Sequence, residues 1–430
     1  MRYVLKNCRL FDGRSDGAVR EHMDIYIAGD RIVKVVPSGA LEAGYQVRDL
    51  RGRWVLPGLI NLHAHLFGSG RPSKVLGGGG GQQKIIRFCG TRPGGQILLK
   101  VMEGNMRSAL FSGCTTVRGV GDFYYADVKL RDRINSGQAD GPRLLVSGPA
   151  ITVPGGHGDG TFAVTGSTEA ELAALASSNA ARGVDLIKIC LTGGVMDAKI
   201  KGEPGEVKMS FQQVKAVCDR AHQMGFSVAS HTESSAGVKI ALAAGVDTVE
   251  HGSILDEEDL KLAAERKTAL ICTLSPALPL ARLSPELTKL SELCVYNSQV
   301  VLDNMTAGVK AALAAGVAVG LGTDASCPYA TQYNMWREAA YFAKYAGVSN
   351  AFALHTATLK NAEILGLEQE TGSVEAGKCA DLIVTDEDPL EDLSALRELE
   401  LVVARGRLYD HPKVKKDPDI ERELDRLLTE

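Results

Sequence analysis

The sequence lacks the features that mark several specialised classes of protein. Aromatic residues make up only 5% of its 430 residues, and no uncharged apolar run approaches the ~18 residues needed to cross a bilayer. The nine cysteines stand singly, without a CxxC pair, and their number is odd. These absences argue against a membrane protein and against a disulfide framework.

Neither sign of charge dominates the chain. The 48 basic and 52 acidic side chains leave a formal net charge of −4, whereas binding to nucleic acid normally needs a basic face. Residues 1–17 contain no apolar segment of the kind that forms a secretory signal. We therefore expect a cytoplasmic protein that acts on a small molecule and binds neither nucleic acid nor membrane.

Glycine is the residue type in excess, at 47 of 430 residues. It recurs where a segment of helical periodicity meets an apolar run, because glycine after a helix adopts a left-handed conformation at little cost. The segments are AARGVDLIK, HQMGFSVAS, LAAGVDTVE and LAAGVAVGLG.

Apolar strand-like runs alternate with helical periodicity through the middle of the chain, as in the helical segments Ser210–Met224 and Glu257–Arg266. The predicted strands are Val55–Asn61, Thr115–Val120, Arg143–Ser147, Val184–Cys190, Phe226–His231, Thr248–His251, Ala269–Thr273 and Val317–Thr323. Eight strand–helix units fit an α/β fold of the closed (β/α)8 type. The periodicity does not exclude the alternative of an open, doubly wound sheet.

Both ends of the chain read as strand-rich. The short alternating segments are Tyr3–Leu10, Asp24–Ile27, Arg31–Val36, Ala380–Thr385 and Leu399–Val403. We predict a small discontinuous domain from residues 1–57 and 371–430, whose charged C-terminal tail closes as a surface helix. Residues 58–370 form the larger domain in this prediction.

Six residues that could carry chemistry fall at or near the C-terminal ends of the predicted strands, where barrel enzymes place their active sites. They are His63, His65, Lys188, His231, His251 and Asp324. Alternate residues of a strand point to the same face, so His63 and His65 could bind one metal ion. Lys188 could instead pair with a buried carboxylate or act as a Schiff-base nucleophile.

These residues and their surroundings resemble the metal-dependent amidohydrolase superfamily, and within it the imidazolonepropionase-like and prolidase-like (Xaa-dipeptidase-like) branch. The resembling segments are VLPGLINLHAHL, GCTTVRGVGD, PGGHGDG, GVDLIKICLTGGVMD, AGVDTVEHGS, LGTDAS and TGSVEAGKCADLIV. The resemblance implies a (β/α)8 TIM barrel with a small β-sandwich domain built from both termini. It also implies a homo-oligomer.

The resemblance further implies a site for two divalent metal ions, with zinc as the expected metal. His63, His65 and Asp324 would bind the more buried ion. His231 and His251 would bind the more exposed one.

Lys188 would bridge the two ions after reaction with CO2 to N6-carboxylysine, because a carbamate brings a negative charge and two oxygens. A bridging hydroxide would then be the nucleophile, and Asp324 would shuttle its proton to the leaving amine. Since single-metal members lack this lysine, its presence favours hydrolysis of a dipeptide or an N-acyl amino acid.

Three alternatives remain open from the sequence. The first is a mononuclear deaminase or cyclic-amide (imidazolonepropionase-like) hydrolase in which Lys188 stays unmodified. The others are a Schiff-base enzyme and a non-catalytic assembly scaffold of the dihydropyrimidinase-like kind.

Candidate substrate-binding residues are His157 in PGGHGDG, Gly193 in LTGGV, and Glu233. Glu233 stands where dipeptidase-like relatives often have a second histidine, and it could repel an anionic substrate or pair with a cationic one. Ser326 stands where relatives commonly have glycine.

The segment Leu66–Gly95 contains the glycine run Gly77–Gly81 and several cations. It is interpreted either as a mobile lid over the metals or as an ordinary loop. Arg118 and Asp122 are expected to form a structural ion pair.

Overall fold

The computed structural model describes residues 2–73 and 80–429 as a mixed α/β structure. The strands are β1 (Arg2–Phe11), β2 (Val19–Ala28), β3 (Arg31–Pro37), β4 (Gln46–Asp49), β5 (Trp54–Pro57), β6 (Leu59–Ala64), β7 (Cys114–Gly119), β8 (Arg143–Val146), β9 (Ala150–Thr152), β10 (Ala163–Thr165), β11 (Ile187–Cys190), β12 (Val228–Thr232), β13 (Thr248–His251), β14 (Ala269–Cys272), β15 (Val319–Leu321), β16 (Leu382–Thr385), β17 (Leu401–Ala404) and β18 (Arg407–Asp410).

The α-helices alternate with these strands through the middle of the chain. They are α1 (Gly80–Cys89), α2 (Arg92–Phe111), α3 (Ala126–Asn135), α4 (Glu169–Ala181), α5 (Phe211–Gln223), α6 (Ser235–Ala244), α7 (Glu257–Arg266), α8 (Leu274–Arg282), α9 (Pro285–Thr288), α10 (Glu292–Ala314), α11 (Met335–Ala346), α12 (Asn350–His355), α13 (Asn361–Ile364) and α14 (Pro418–Thr429).

One compact unit comprises Met1–Asn61, Arg107–Val117 and Tyr333–Lys416. Its sheet has the order β18-β17-β16-β5-β1-β2-β3, with β4 paired to β1. Strands from both ends of the chain therefore share one sheet, and its core packs side chains from both, such as Leu10 and Leu382.

The other compact unit comprises Leu62–Met106, Arg118–Gln332 and Asp417–Glu430. It contains a parallel sheet of order β10-β9-β11-β12-β13-β14-β15. Every residue of β11 to β14 is buried, as expected for parallel strands covered on both faces. The predicted α/β class with a parallel sheet is confirmed. The predicted domain boundaries stay a prediction, and the compact units divide the chain at other positions.

Backbone hydrogen bonds also join residues of β6 and β8 that belong to this unit to the chain beside its parallel sheet. Strands β6, β7 and β8 form a three-stranded sheet in that order. Asp185 N, just before β11, donates to Val146 O of β8 at 2.7 Å. Beyond β15, Asp324 N donates to His63 O of β6 at 2.8 Å. The first and last strands of the series are thus hydrogen-bonded to each other through the segment after β15.

Local sequence explains where several helices begin and end. Thr168 and Ser210 start α4 and α5 with capping boxes, in which the side chain of the cap and that of the residue three positions later each accept a backbone N–H. Gly245 ends α6 with φ of +94°, a conformation that costs a side-chain-bearing residue strain. The predicted role of glycine at helix ends is confirmed here.

Two predicted elements, the strand Thr248–His251 and the helix Glu257–Arg266, have the observed bounds. The single strand predicted at Val55–Asn61 is wrong, because Gly58 separates β5 from β6. Strand β5 pairs with β1 and β16, whereas β6 pairs with β7. The apolar run continues across Gly58, so the sequence pattern does not indicate that the chain passes from one sheet to another there.

Three smaller expectations can be compared with the structure. The tail forms α14, whose apolar stripe of Ile420, Leu424 and Leu427 is buried. All nine cysteines are free in the structure, and no two of them form a CxxC motif in the sequence. Among the helices of the described residues, none is both long enough and apolar enough to span a membrane.

Two helical glycines provide a test of packing. A Cβ at Gly308 of α10 would lie 2.1 Å from Ser253 O, whereas one at Gly104 of α2 would meet no described heavy atom within 4 Å beyond its chain neighbours and the backbone of its own helix. We expect Gly308→Ala to lower the free energy of unfolding by about 1–3 kcal/mol through overpacking. Gly104→Ala is expected to raise it by about 0.5–1 kcal/mol through helix propensity. Denaturant unfolding of both variants measures this, and equal shifts would contradict the packing described.

Candidate metal centre

The six residues expected to carry chemistry lie together at the C-terminal ends of the parallel strands. They are His63 in β6, His65 directly after it, Lys188 in β11, His231 in β12, His251 in β13, and Asp324 just beyond β15. Each is at most 8% exposed. Parallel strands place their C-terminal ends at one edge, so residues far apart in sequence converge there.

Three of these side chains form a first group that could hold an ion. One ligand atom from each of His63, His65 and Asp324 lies within 4.8 Å of the others. Asp324 Oδ1 is 3.4 Å from His63 Nε2 and 3.3 Å from His65 Nε2. Two imidazole nitrogens and a carboxylate oxygen are ligands that zinc accepts.

A second group adjoins the first and consists of His231, Glu233 and His251, whose ligand atoms also lie within 4.8 Å of one another. The ring centroids of His63 and His251 are 4.8 Å apart, which brings the two groups into contact. Sequence reasoning assigned Glu233 only to the substrate. Its place two residues after His231 on an extended segment is the signal that could have added it to the ligand candidates.

Lys188 is buried between charged and ligating side chains but has no hydrogen-bond partner for its Nζ among the described residues. Burial lowers the pKa of Lys188, and the nearby Glu250 carboxylate opposes that effect. Its charge also interacts with those of His231, His251 and Asp324. A buried amine without a hydrogen-bond partner is a costly arrangement. Within the described part of the chain, the carboxylate pairing of Lys188 that the sequence left open is not observed.

The protonation states in the site suit metal binding. Burial lowers the pKa of both His231 and His251 well below the usual value, which favours the neutral imidazole that binds metals. Burial raises the pKa of Asp324, but His63 and His65 outweigh it and hold the pKa well below the ordinary value. The observed residues therefore fit a site for divalent cations.

Hydrogen bonds fix the orientation of three of the imidazoles through Nδ1. His63 Nδ1 bonds to Glu250 Oε2 at 2.7 Å, and His65 Nδ1 donates to Gly121 O at 2.6 Å. His251 Nδ1 bonds to Thr273 Oγ1 at 2.7 Å. Partners of this kind orient metal-binding histidines and leave Nε2 as the ligand atom.

Glu250 links His63 to a buried arginine. Arg118 Nη2 donates to Glu250 Oε1 at 2.7 Å, and its Nε donates to Leu62 O at 2.6 Å. Burial raises the pKa of Glu250, but Arg118 and the bond from His63 dominate and hold the pKa well below its usual range. Glu250 was missed from sequence, although a lone carboxylate in a buried strand is a signal in itself.

The expected ion pair between Arg118 and Asp122 is therefore wrong. Asp122 instead accepts a hydrogen bond from Leu66 N at 3.0 Å and so anchors the chain just after the histidine pair. The sequence pattern could not predict which carboxylate pairs with Arg118, because Glu250 lies on a strand that is distant in sequence.

His157 lies against the second group. Its ring stacks on that of His231, with centroids 4.1 Å apart and planes at 5°. Its Nδ1 bonds to Asp197, a residue that sequence reasoning did not single out. Gly193 O lies 3.2 Å from His231 Nε2, and a Cβ at the adjacent Gly194 would lie 3.3 Å from the same atom. The two loops predicted to border the site do so.

Glu233 is buried, and burial raises its pKa to about 8. Its Oε2 accepts a hydrogen bond from Val195 N at 3.1 Å. Ser326, the other departure from the family pattern, donates from Oγ to His65 O at 2.6 Å and accepts from Gly68 N at 2.8 Å. Ser326 therefore ties the segment after β15 to the segment after β6.

A cavity of about 520 Å³ opens onto these side chains, and we call it the apolar chamber. His65, His231, His251 and Asp324 belong to its lining. Much of the remaining wall is apolar, including Phe67, Ile86, Leu98, Phe123, Phe162 and Met196.

Part of the chamber wall comes from the segment Leu66–Gly95, which the sequence analysis interpreted as either a mobile lid or an ordinary loop. Its described residues include the whole of α1 and the start of α2. Most of the glycine run Gly77–Gly81 lies outside the described residues, and whether the segment moves stays a prediction.

The Arg118–Glu250 pair provides a second test. We expect Arg118→Met to lower the free energy of unfolding by about 3–5 kcal/mol, because it leaves a buried carboxylate without its cation. The matched control is Lys215→Met, which removes an exposed pair with Asp219 at 2.7 Å in α5. Exposed pairs contribute little, so the control should unfold almost as the parent does. Similar unfolding curves for both variants would contradict the assignment.

Comparison with known proteins gives a consistent picture. The model of the amidohydrolase family matches residues 54–409. A solved structure from Bifidobacterium longum, provisionally named a prolidase, is 38% identical, with a TM-score of 0.87 over 99% of this chain and 98% of that one.

Two further proteins are similar to this chain over most of its length. The structure of a Xaa-Pro dipeptidase with bound methionine is 30% identical, with a TM-score of 0.83 over 95% of this chain and 100% of that one. The imidazolonepropionase of Symbiobacterium thermophilum is 26% identical over 90% of this chain and 88% of that protein. The resemblance inferred from the sequence is confirmed.

Proposed function

Because the chain belongs to the amidohydrolase family, we propose that it is a binuclear metal-dependent hydrolase that cleaves the amide bond of a dipeptide or an N-acyl amino acid. The observation that carries the proposal is the pair of adjoining ligand groups, His63–His65–Asp324 and His231–Glu233–His251. Zinc is the proposed metal, because imidazole and carboxylate ligands suit it.

The proposed architecture is a (β/α)8 barrel with a small β-sandwich. Support for the barrel comes from the hydrogen bonds that join β8 to the chain before β11 and the chain after β15 to β6. Support for the second domain comes from the single sheet built by strands of both termini. The active site then lies at the C-terminal face, where barrel enzymes bind substrates.

Lys188 is proposed to become N6-carboxylysine. Its neutral ε-amine would form a C–N bond to CO2 and lose one proton, which yields a carbamate with two oxygens. The position supports this role, since Nζ is buried beside both ligand groups and has no described hydrogen-bond partner. A carbamate would give this position a negative charge and two oxygens that could serve as metal ligands.

When bound, the two ions would polarise the scissile carbonyl and acidify the attacking water. Asp324 would accept the proton of that water and return it to the departing nitrogen, a general-base and general-acid role. Glu250 and Arg118 would hold the ring of His63 in place throughout. His157, Gly193 and Glu233 are proposed to contact the substrate, since His157 and Gly193 lie against His231 and Glu233 belongs to the second ligand group itself.

A second candidate is a mononuclear deaminase or cyclic-amide hydrolase. The similarity to an imidazolonepropionase over most of the chain favours it. In that case the group His63–His65–Asp324 would belong to the only occupied site, and Lys188 would stay unmodified. The position of Lys188 between the two groups makes us prefer the binuclear hydrolase. We also propose a homo-oligomer.

Metal content distinguishes these two candidates. Protein loaded with zinc in bicarbonate should contain about two ions per chain, and Lys188→Ala should contain fewer and lose at least about 100-fold in activity. Elemental analysis and hydrolysis assays measure both, with Lys215→Ala as a control at an exposed lysine. About one ion per chain, with Lys188→Ala fully active, would support the second candidate instead.

A panel of substrates tests the reaction itself. Dipeptides and N-acyl amino acids should be hydrolysed in a metal-dependent way, and a chelator should abolish the activity until metal is restored. The panel includes a cyclic amide and an amino-substituted heterocycle as substrates of the alternative. Turnover of these alone would overturn the proposed amide specificity.

A further inference from the structure

The lining of the apolar chamber limits what can fill it. Its described residues include no lysine or arginine. The carboxyl groups that line it are those of Asp324 and Glu233. An anionic group inside the chamber would therefore meet no lysine or arginine among the described lining residues, whereas an uncharged apolar group would contact phenylalanine, isoleucine and leucine side chains on several walls.

The apolar surface continues beyond the chamber onto its rim. Ile85 and Phe88 of α1 are 55% and 47% exposed, and Ile97 and Val101 of α2 are 57% and 46% exposed. All four also line the chamber. Exposed apolar side chains that cluster beside a cavity are typical of ligand-binding grooves.

The volume of the chamber is large for a small dipeptide. Cavities of roughly 300–1,000 Å³ suit drug-sized ligands, and at about 520 Å³ this one falls within that range. The methyl groups of a dialanine would leave most of the apolar wall without contact. A group with several methylenes or an aromatic ring would cover it.

We propose that the apolar chamber selects substrates with a bulky, uncharged apolar group on one side of the scissile amide. This inference rests on the proposed hydrolase function and deepens it by naming the substrate class. Selection arises because each methylene that enters the chamber is transferred from water to an apolar surface. This transfer increases the binding constant by about fourfold per methylene.

The kinetic experiment uses two series of substrates. One varies the acyl group of N-acylglycines from acetyl to octanoyl, and the other varies the side chain of N-acetyl amino acids from alanine to leucine and phenylalanine. In the series whose variable group enters the chamber, kcat/KM should rise about fourfold per methylene. Metal-dependent hydrolysis with no rise in either series would overturn the inference.

A binding experiment tests the chamber without relying on catalysis. Metal-free protein is titrated calorimetrically with the primary amides from acetamide to octanamide. Affinity should increase about fourfold per methylene once the alkyl chain contacts the walls. If affinity increases with chain length but the protein hydrolyses no amide, the assignment of the chamber is supported and the proposed hydrolase function is rejected. No increase would reject the chamber assignment.

Variants at the rim connect both readouts to the chamber. Ile85→Asn combined with Ile97→Asn should reduce the dependence on chain length, and because both side chains are more than half exposed the fold should tolerate the change. The matched control combines Val33→Asn with Ile254→Asn, which are 45% and 49% exposed and do not line the chamber. Thermal melting verifies folding. An equal loss of chain-length dependence in both double variants would contradict the proposal.

Discussion

The buried carboxylate of Glu250 is the interaction on which the geometry of the site depends. A charge inside a sheet must be paired and hydrogen-bonded to persist, and Glu250 is bonded to Arg118 on one oxygen and to His63 on the other. These three residues come from β13, β7 and β6. Their hydrogen bonds fix how these strands lie and which nitrogen of His63 faces Asp324.

Once His63 is oriented, the rest of the centre follows from neighbouring contacts. Asp324 reaches both His63 and His65, while its backbone N–H bonds to His63 O. His251 adjoins His63, and His231 adjoins His251. The two ligand groups are therefore parts of one buried cluster. This continuity supports the role proposed for Lys188, which is buried beside both groups.

The candidate metal ligands and much of the apolar wall of the chamber come from different parts of the chain. The ligands lie on or just after strands, whose backbone is held by the parallel sheet. Part of the wall of the apolar chamber, and its exposed apolar rim, come from α1 and α2, which lie between β6 and β7. Loops and helices inserted between barrel strands can change without disturbing the strands. The substrate preference proposed above would therefore depend partly on α1 and α2, which carry none of the candidate metal ligands.

Many features of the fold and site were accessible from sequence because they are local or periodic. Alternation of apolar runs with helical segments indicated the parallel α/β structure, and glycine after helices such as α6 marked the turns. The positions of His63, His65 and Lys188 relative to the strand ends also sufficed to predict convergence. The C-terminal ends of parallel strands lie at the same edge of the sheet, so a residue at such an end has a known location in the fold.

The choice of partners was settled only by the tertiary structure. Arg118 could have paired with the nearby Asp122, but Glu250 of a distant strand is closer in space. The apolar run around Gly58 gave no sign that the chain leaves one sheet for another. The apolar chamber was equally hidden, since its walls combine residues from 65 to 328. Sequence periodicity reports which residues are buried, whereas the contacts of a buried side chain depend on packing between elements far apart in the chain.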